Sequence, residues 1–416
     1  MEQLNVHKEE QILISIAGID RPGLTADVMK VLAKYDATVL DIGQSNIHST
    51  LSLGVLIRAD VMVSGQVMRE LLFAANDLNV NITFQPISDD DYEAWVGRQG
   101  KHRYILTLIG RELTAQQIFA ASSVITEQHL NIDAIRRLTG RVSIKHPDKN
   151  NRSCIEFSLR GDPDNRQKMQ SELMKLSSDM GFDFSLQKDD MYRRMRRLIC
   201  FDMDSTLIQT ECIDELAKRA GVGDQVSAIT ASAMRGEIDF KESFTRRVAL
   251  LKGLDASVMQ DIAEHLPITE GVDKVMKVLK TSGYKIAILS GGFTYFGQYM
   301  QRKYGIDYVY ANELEIGEDG KLTGHYVGEI VDGHRKAELL KLIAQVEKIN
   351  LAQTIAVGDG ANDLPMINEA GLGIAFHAKP KVKATAHQSI STIGLDGVLY
   401  FLGFKDSYLG ELATEK

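Results

Sequence analysis

The stretch Leu198-Ile199-Cys200-Phe201-Asp202-Met203-Asp204-Ser205-Thr206 decides the reading of this chain. Its apolar run is what a buried parallel strand looks like. In open α/β sheets ligands bind beyond the carboxyl ends of the strands, which is where Asp202 and Asp204 fall. Side chains alternate along a strand, but the turn that follows can bring both carboxylates to one site. Carboxylates so placed repel each other. A hard cation with oxygen ligands, such as Mg2+, relieves that repulsion. By itself the motif also fits a plain strand end followed by an Asp-Ser turn.

Three later segments bear on the choice. Lys285-Ile286-Ala287-Ile288-Leu289-Ser290-Gly291-Gly292 reads as a second apolar strand ending in a hydroxyl and two glycines. Glycines admit an anion close to the backbone, and a helix start offers free N–H groups. An ordinary βα turn reads equally well there. Arg335-Lys336-Ala337-Glu338-Leu339-Leu340-Lys341-Leu342-Ile343 opens a helical pattern with Lys336 in its first turn. A lysine there opposes the helix dipole, and a bound phosphate would explain it. The other reading is a solvated surface lysine, and Arg335 beside it leaves the choice of residue open. Thr354-Ile355-Ala356-Val357-Gly358-Asp359-Gly360-Ala361-Asn362-Asp363-Leu364 is a third strand ending in carboxylates. Asp359 completes an oxygen set for Mg2+, and Asp363 ligates the ion or its waters. The strand before it argues against a calcium loop lying between two helices.

In this order, each at a strand end or helix start, the segments resemble the haloacid dehalogenase superfamily of phosphatases. Thr210-Glu211-Cys212-Ile213-Asp214-Glu215-Leu216, Phe240 to Leu251, Ser290-Gly291-Gly292-Phe293 and Gly358-Asp359-Gly360-Ala361-Asn362-Asp363 narrow the likeness to its phosphoserine phosphatase family. The resemblance runs from Arg197 to roughly Phe404. It implies a Rossmann-like α/β core with a helical cap, Mg2+ as cofactor, and hydrolysis of O-phospho-L-serine to L-serine and phosphate, the last step of serine biosynthesis. It implies Asp202 as the nucleophile that forms an aspartyl-phosphate, and Asp204 as the acid and then the base. It implies a metal held by Asp202, the Asp204 backbone carbonyl and Asp359, supported by Asp363. Ser290, the Gly291 N–H and Lys336 would bind the phosphoryl oxygens. Arg247 would take the substrate carboxylate and Glu211 its ammonium; Phe240 would wall the pocket and Asn362 help hold the ligand. Without the resemblance, Glu211 and Arg247 read as exposed cap charges. The alternatives are a phosphatase of the same superfamily acting on another small phosphate ester, a dehalogenase, a phosphomutase, or an amino-acid-sensing regulatory protein with an inert second half. The intact set Asp202, Asp204, Lys336 and Asp359 argues against inertness.

The chain has 416 residues, which suggests two or three domains. With 44% hydrophobic and 25% charged residues it reads as an ordinary globular protein. A net charge of −8 disfavours nucleic acid or an anionic membrane as partner. Cys154, Cys200 and Cys212 make neither a metal pattern nor a disulfide framework. Met1 to Glu10 lacks a signal-peptide core, and no apolar run is long enough to span a bilayer. A cytoplasmic location is the expectation.

The first half reads as a degenerate repeat. Gln11-Ile12-Leu13-Ile14-Ser15-Ile16-Ala17-Gly18 matches Arg103-Tyr104-Ile105-Leu106-Thr107-Leu108-Ile109-Gly110 in pattern, and each is followed by Leu-Thr-Ala. Each repeat then continues to a βαββαβ order, the ferredoxin-like arrangement. The expected divisions are 1–87, 88–187 with a polar linker Ser88-Asp89-Asp90-Asp91 at its start, and 188–416 with a cap at about 210–268. Leu314 to Val331 reads as a β-hairpin on the core. Asp20-Arg21-Pro22-Gly23-Leu24 resembles the ligand turn of ACT domains, regulatory modules that often bind amino acids. That likeness implies an amino-acid effector, serine foremost, and a homodimer. The second repeat has Arg111-Glu112-Leu113 in place of the Pro-Gly pair, which leaves ligand binding there open. Self-association alone is the other reading of the whole half. The cluster Arg193, Arg194, Arg196 and Arg197 reads as a linker salt-bridged to Asp189-Asp190 or to the catalytic domain.

Overall fold

The computed structural model describes residues 8–98, 100–146, 151–386 and 388–414. The chain divides into two compact units, Met1–Lys101 and His102–Lys416.

The first unit runs β1 (Glu9–Ile19), α1 (Leu24–Ala33), β2 (Thr38–Ile47), β3 (Thr50–Asp60), α2 (Val61–Leu78) and β4 (Val80–Ile87). Its strands form an antiparallel sheet in the order β2-β3-β1-β4, the arrangement expected from the repeat. Ile12, Ile14 and Ile16 of β1 are buried while Leu13 is half-buried and Ser15 and Ala17 are exposed. That alternation turns one face of the sheet toward Leu24, Val28 and Leu32 of α1 and Val67 and Leu71 of α2. Ser88 to Asp91, expected as a linker, instead opens a short helix, α3 (Asp89–Val96). The Ser88 hydroxyl accepts the Asp91 N–H at 3.1 Å, and three aspartates occupy the first turn, where the helix dipole favours negative charge.

The second unit begins with another βαββαβ order: β5 (Arg103–Gly110), α4 (Ala115–Glu127), β6 (Asn131–Arg137), β7 (Ser153–Arg160), α5 (Arg166–Met180) and β8 (Asp183–Lys188). After β9 (Leu198–Phe201) come four helices, α6 (Cys212–Ala220), α7 (Gly223–Met234), α8 (Phe240–Ala249) and α9 (Val258–Glu264), in the span read as a cap. The core continues through α10 (Val272–Thr281), β10 (Lys285–Phe293), α11 (Thr294–Tyr304) and the hairpin β11 (Tyr308–Ile316) and β12 (Leu322–Val327). It ends with α12 (Gly333–Val346), β13 (Thr354–Gly358), α13 (Leu364–Glu369), β14 (Leu372–Phe376), α14 (Pro380–Thr385) and β15 (Ser389–Ile390), followed by further short helices. Within the core, β11-β10-β9-β13-β14-β15 are parallel neighbours. The central β9 is buried at every residue, as its apolar run requires.

The two parts of this unit share one sheet. β15 pairs antiparallel with β8 through Ser389 and Phe184, so the order runs β12-β11-β10-β9-β13-β14-β15-β8-β5-β7-β6. Polar groups are buried along this seam. Asp183 accepts the Ser391 and Thr392 N–H groups at 2.7 and 2.8 Å. Gln187 donates to the Phe401 carbonyl at 2.8 Å and accepts from Arg196 at 3.0 Å. Two members of the basic cluster are therefore internal ties. Arg196 also donates to the Ala352 and Thr354 carbonyls, and Arg193 pairs with Glu156 of β7 at 2.6 Å. Asp190 serves the local backbone, accepting the Tyr192 and Arg193 N–H groups. Removing one member of a buried ion pair leaves a charge without its partner, at a cost of roughly 3–5 kcal/mol.

Candidate active site

Strand register gathers the site. β9 lies between β10 and β13, with Phe201 level with Ile288 on one side and Val357 on the other. The residues that follow therefore emerge together at the carboxyl end of the sheet: Asp202, Ser290 and Asp359. The Asp202 N–H donates to the Val357 carbonyl at 2.9 Å, which fixes the exit of the central strand.

From the far side comes α12. Asp332 caps it by accepting the Arg335 N–H at 2.9 Å. Lys336 in its first turn is fully buried, with Nζ 2.8 Å from Asp202 Oδ1 and 2.7 Å from Asp363 Oδ1. This settles the choice between neighbours: Arg335 pairs with Glu338 at the surface, and Lys336 is the internal cation. Burial pulls the Lys336 ammonium down, but the two carboxylates outweigh it and raise it above the ordinary lysine value.

The carboxylates outnumber the cation. Burial first, then the charge of Asp363, raises Asp202 well above the usual carboxylate range, against the pull of Lys336. Burial, with Asp363 and Glu211, pushes Asp359 up to about 7. Carboxylate oxygens of Asp202, Asp359 and Asp363 lie within 4.8 Å of one another. Three converging hard donors with excess negative charge fit a divalent cation such as Mg2+.

Asp204 stands apart from this cluster. Its Oδ1 is buried and has no hydrogen-bond partner, and a Cβ on Gly292 would sit 2.7 Å from its Oδ2. Only glycine at 292 admits that approach. Burial, with the nearby Glu211 charge, pushes Asp204 up to about 7, while hydrogen bonds from Cys212 hold it back. The loop behind it is strained: Ser205 has φ of 58°, in the left-handed region. The Ser205 hydroxyl donates to Glu211 at 2.8 Å.

Ser290, Gly291 and Gly292 form the carboxyl end of β10. The buried Ser290 hydroxyl accepts the Gly292 N–H at 2.9 Å. Phe240, at the start of α8, comes so close that a Cβ on Gly291 would be 3.0 Å from its ring. This brings the cap over the end of this strand. Arg247 is half-buried on the same helix, and its Nε donates to the Ser243 carbonyl at 3.3 Å. Burial lowers its pKa, while the charges of Glu211, Asp214 and Asp204 act against that. Glu211 is exposed just before α6 and its side chain caps nothing. Asn362, half-buried, lies in the turn between Asp359 and Asp363.

Residues 196–371 match the haloacid dehalogenase-like hydrolase family, and residues 10–85 match the ACT domain. A phosphoserine phosphatase of Streptomyces coelicolor is 39% identical over 393 residues, which cover 94% of this chain and 92% of that protein. The chain belongs to the phosphoserine phosphatase family. A second full-length relative, a phosphoserine phosphatase of Mycobacterium tuberculosis, is 38% identical over 94% of this chain and 93% of its own length. Among solved structures, a probable phosphoserine phosphatase from Vibrio cholerae superposes with a TM-score of 0.57 at 35% identity, covering 74% of this chain and 87% of that one. A haloacid dehalogenase-family hydrolase from Salmonella enterica serovar Typhi gives 0.61 at 32% identity, covering 72% and 98%.

Two residues of this phosphoserine phosphatase family member escaped the sequence reading. Asn312, buried in the middle of β11, donates to the Gly291 carbonyl at 2.9 Å and accepts the Val331 N–H at 2.8 Å. It holds the end of β10 and the entry to α12 together. A lone polar residue inside a strand is its sole sequence signal. Cys212, a buried free thiol that starts α6, faces Asp204 with both its N–H and its thiol.

Proposed function

We propose that this chain hydrolyses O-phospho-L-serine to L-serine and phosphate with Mg2+ as cofactor. The observation that carries the reading is Lys336, buried between Asp202 and Asp363, with Asp204, whose buried Oδ1 has no hydrogen-bond partner, just after Asp202.

In this reading Asp202 attacks phosphorus in line and the P–O bond to serine breaks. Asp204 gives its proton to the departing serine oxygen. It then takes a proton from a water, which attacks the aspartyl-phosphate, releases phosphate and restores Asp202. Its pKa of about 7 in the free protein suits a group that must do both. Lys336, the Ser290 hydroxyl and the Gly291 N–H meet the phosphoryl oxygens where negative charge must be neutralised. Asp202, the Asp204 carbonyl and Asp359 would hold Mg2+, with Asp363 in support, and the ion would add positive charge at the phosphoryl group. Asn362 helps hold the ligand, and Phe240 closes the pocket against water.

Arg247 presents a planar fork suited to the substrate carboxylate, and Glu211 an anion suited to its ammonium. Arg247→Ala is expected to lower kcat/KM for phosphoserine by roughly 10- to 100-fold, the loss of one charged hydrogen-bonded contact. Hydrolysis of an aryl phosphate that lacks the carboxylate should change far less. Equal losses on both would assign Arg247 to the phosphate or to the fold. A screen of phosphate release over phosphorylated amino acids and sugars, with and without Mg2+, tests the substrate class.

We further propose an amino-acid effector site in the first unit, in a homodimeric, cytoplasmic enzyme. Asp20 to Gly23 are exposed, Leu24 is buried beneath them, and Gly23 starts α1 at φ of 92° with no side chain capping the helix. Free N–H groups at such a start suit a carboxylate. Gly23→Val puts a β-branched residue in a conformation it resists. It is expected to remove serine binding in calorimetric titration of full-length Asp202→Asn protein saturated with phosphoserine. Unchanged binding, or a monomeric mass in light scattering, would remove the respective part of this reading.

A further inference from the structure

The turn between β5 and α4 holds the place in the second repeat that the ligand turn holds in the first. Arg111 in this turn grips a carboxylate of the α/β core. Its two terminal nitrogens donate to Glu270, Nη1 to Oε1 at 3.1 Å and Nη2 to Oε2 at 2.7 Å, the fork geometry of a strong pair. Arg152, just before β7, adds a bond to Glu270 Oε1 at 2.9 Å. Arg152 also pairs with Asp396, a buried carboxylate that faces Lys274 at 3.6 Å. The backbone of Glu270 is held as well, its carbonyl accepting the Leu395 N–H at 2.7 Å.

The residues just before Glu270 brace the loop that follows Asp204. Ile268 forms a bridge with Ile208. The Gln209 N–H donates to the Pro267 carbonyl at 2.8 Å, and the Thr269 N–H donates to the Leu207 carbonyl at 3.1 Å. Between Asp204 and this ladder lies Ser205 with its φ of 58°. A strained loop persists only where its surroundings over-determine it.

We propose that Glu270 is a positioning residue: the second βαββαβ unit holds it through Arg111 and Arg152, and it fixes the brace that aims Asp204 at the leaving group. Among the described residues, Arg21 in the corresponding turn of the first unit reaches no carboxylate beyond the adjoining helix, pairing with Asp27 at 3.9 Å. The inference rests on Asp204 as the acid. A badly aimed acid slows formation of the aspartyl-phosphate from a poor leaving group such as serine and spares that step for a good one, whereas hydrolysis of the shared intermediate is slowed alike on both.

The test compares full-length Glu270→Gln and Arg111→Lys with the parent in the single-turnover rate of leaving-group release, serine from phosphoserine and p-nitrophenol from p-nitrophenyl phosphate, with thermal midpoints recorded alongside. Glu270→Gln is expected to lower the saturating rate of serine release about tenfold, as small misplacements of reacting groups do, with the half-saturating concentration and the p-nitrophenol release rate within about twofold. Arg111→Lys keeps the charge but loses the fork, and should show a smaller loss with the same selectivity. It carries the test if Glu270→Gln does not fold. Equal losses on both substrates, or full activity on both, would overturn the proposal. Asp204→Asn serves as the control. If that variant does not discriminate between the substrates, the acid assignment has failed; if it does and Glu270→Gln does not, the brace has failed.

Discussion

Asp202→Asn should abolish phosphate release while the protein stays folded. The amide keeps the shape of the carboxylate and an oxygen for the Met203 N–H, which donates to Asp202 Oδ1 at 2.8 Å. It lacks the negative charge needed to attack phosphorus. Loss of a nucleophile typically costs several orders of magnitude, so a fall of at least about 10⁴-fold is expected in a continuous phosphate-release assay. Removing the charge also relieves its repulsion with Asp363 and Asp359. Lys336 loses one charged partner but keeps Asp363 at 2.7 Å, so the two effects oppose and the thermal midpoint in the absence of metal should change little. Turnover near the parent rate would end the assignment of Asp202.

Lys336→Met should damage both stability and rate. Methionine fills similar space in a site from which water is excluded, but leaves Asp202 and Asp363 without their buried cation. Breaking such a pair costs about 3–5 kcal/mol, measurable as a lower urea midpoint without added metal. Loss of a charge-stabilising donor at the phosphoryl group should lower kcat by roughly 10²- to 10³-fold. Mg2+ should raise the thermal midpoint more in this variant than in the parent, because the variant has more uncompensated negative charge to neutralise. A variant as stable and active as the parent would place Lys336 outside the chemistry. Arg335→Gln is the matched comparison, and its effect should be slight because Arg335 forms an exposed pair with Glu338.

What was legible in the sequence follows from where the physical signal is local. β9 was readable because burial on both faces leaves an unbroken apolar run, Leu198 to Phe201. Lys336 drew notice because its charge opposes its helix terminus, and its two carboxylate partners supply the reason. The α3 helix was missed although its signals were present, a serine cap followed by three aspartates; polar composition was read as a linker. β8 misleads for a deeper reason. Phe182, Phe184 and Leu186 alternate with Asp183, Ser185 and Gln187, a pattern that describes a strand with one wet face. All six are buried, because the polar face meets partners some 200 residues away, among them Ser391, Thr392 and the Phe401 carbonyl. No window along the chain contains both sides of that interface. Asn312 was hidden for the same reason, since the Gly291 and Gly292 carbonyls it donates to and the Val331 N–H it accepts come from two other segments of the chain.

The shared sheet also determines where this chain tolerates being cut. A break after Lys188 falls between two ferredoxin-like repeats and a phosphatase, and looks harmless on a domain diagram. It would strip β15 of its neighbour and leave the Ser391 and Thr392 N–H groups facing no acceptor. An unpaired strand edge beside stranded polar groups is a template for aggregation. A cut near Lys101 leaves every strand pairing of the 11-stranded sheet intact. For anyone shortening this protein for crystals, sensors or fusions, the second repeat travels with the enzyme, and the first is the detachable part.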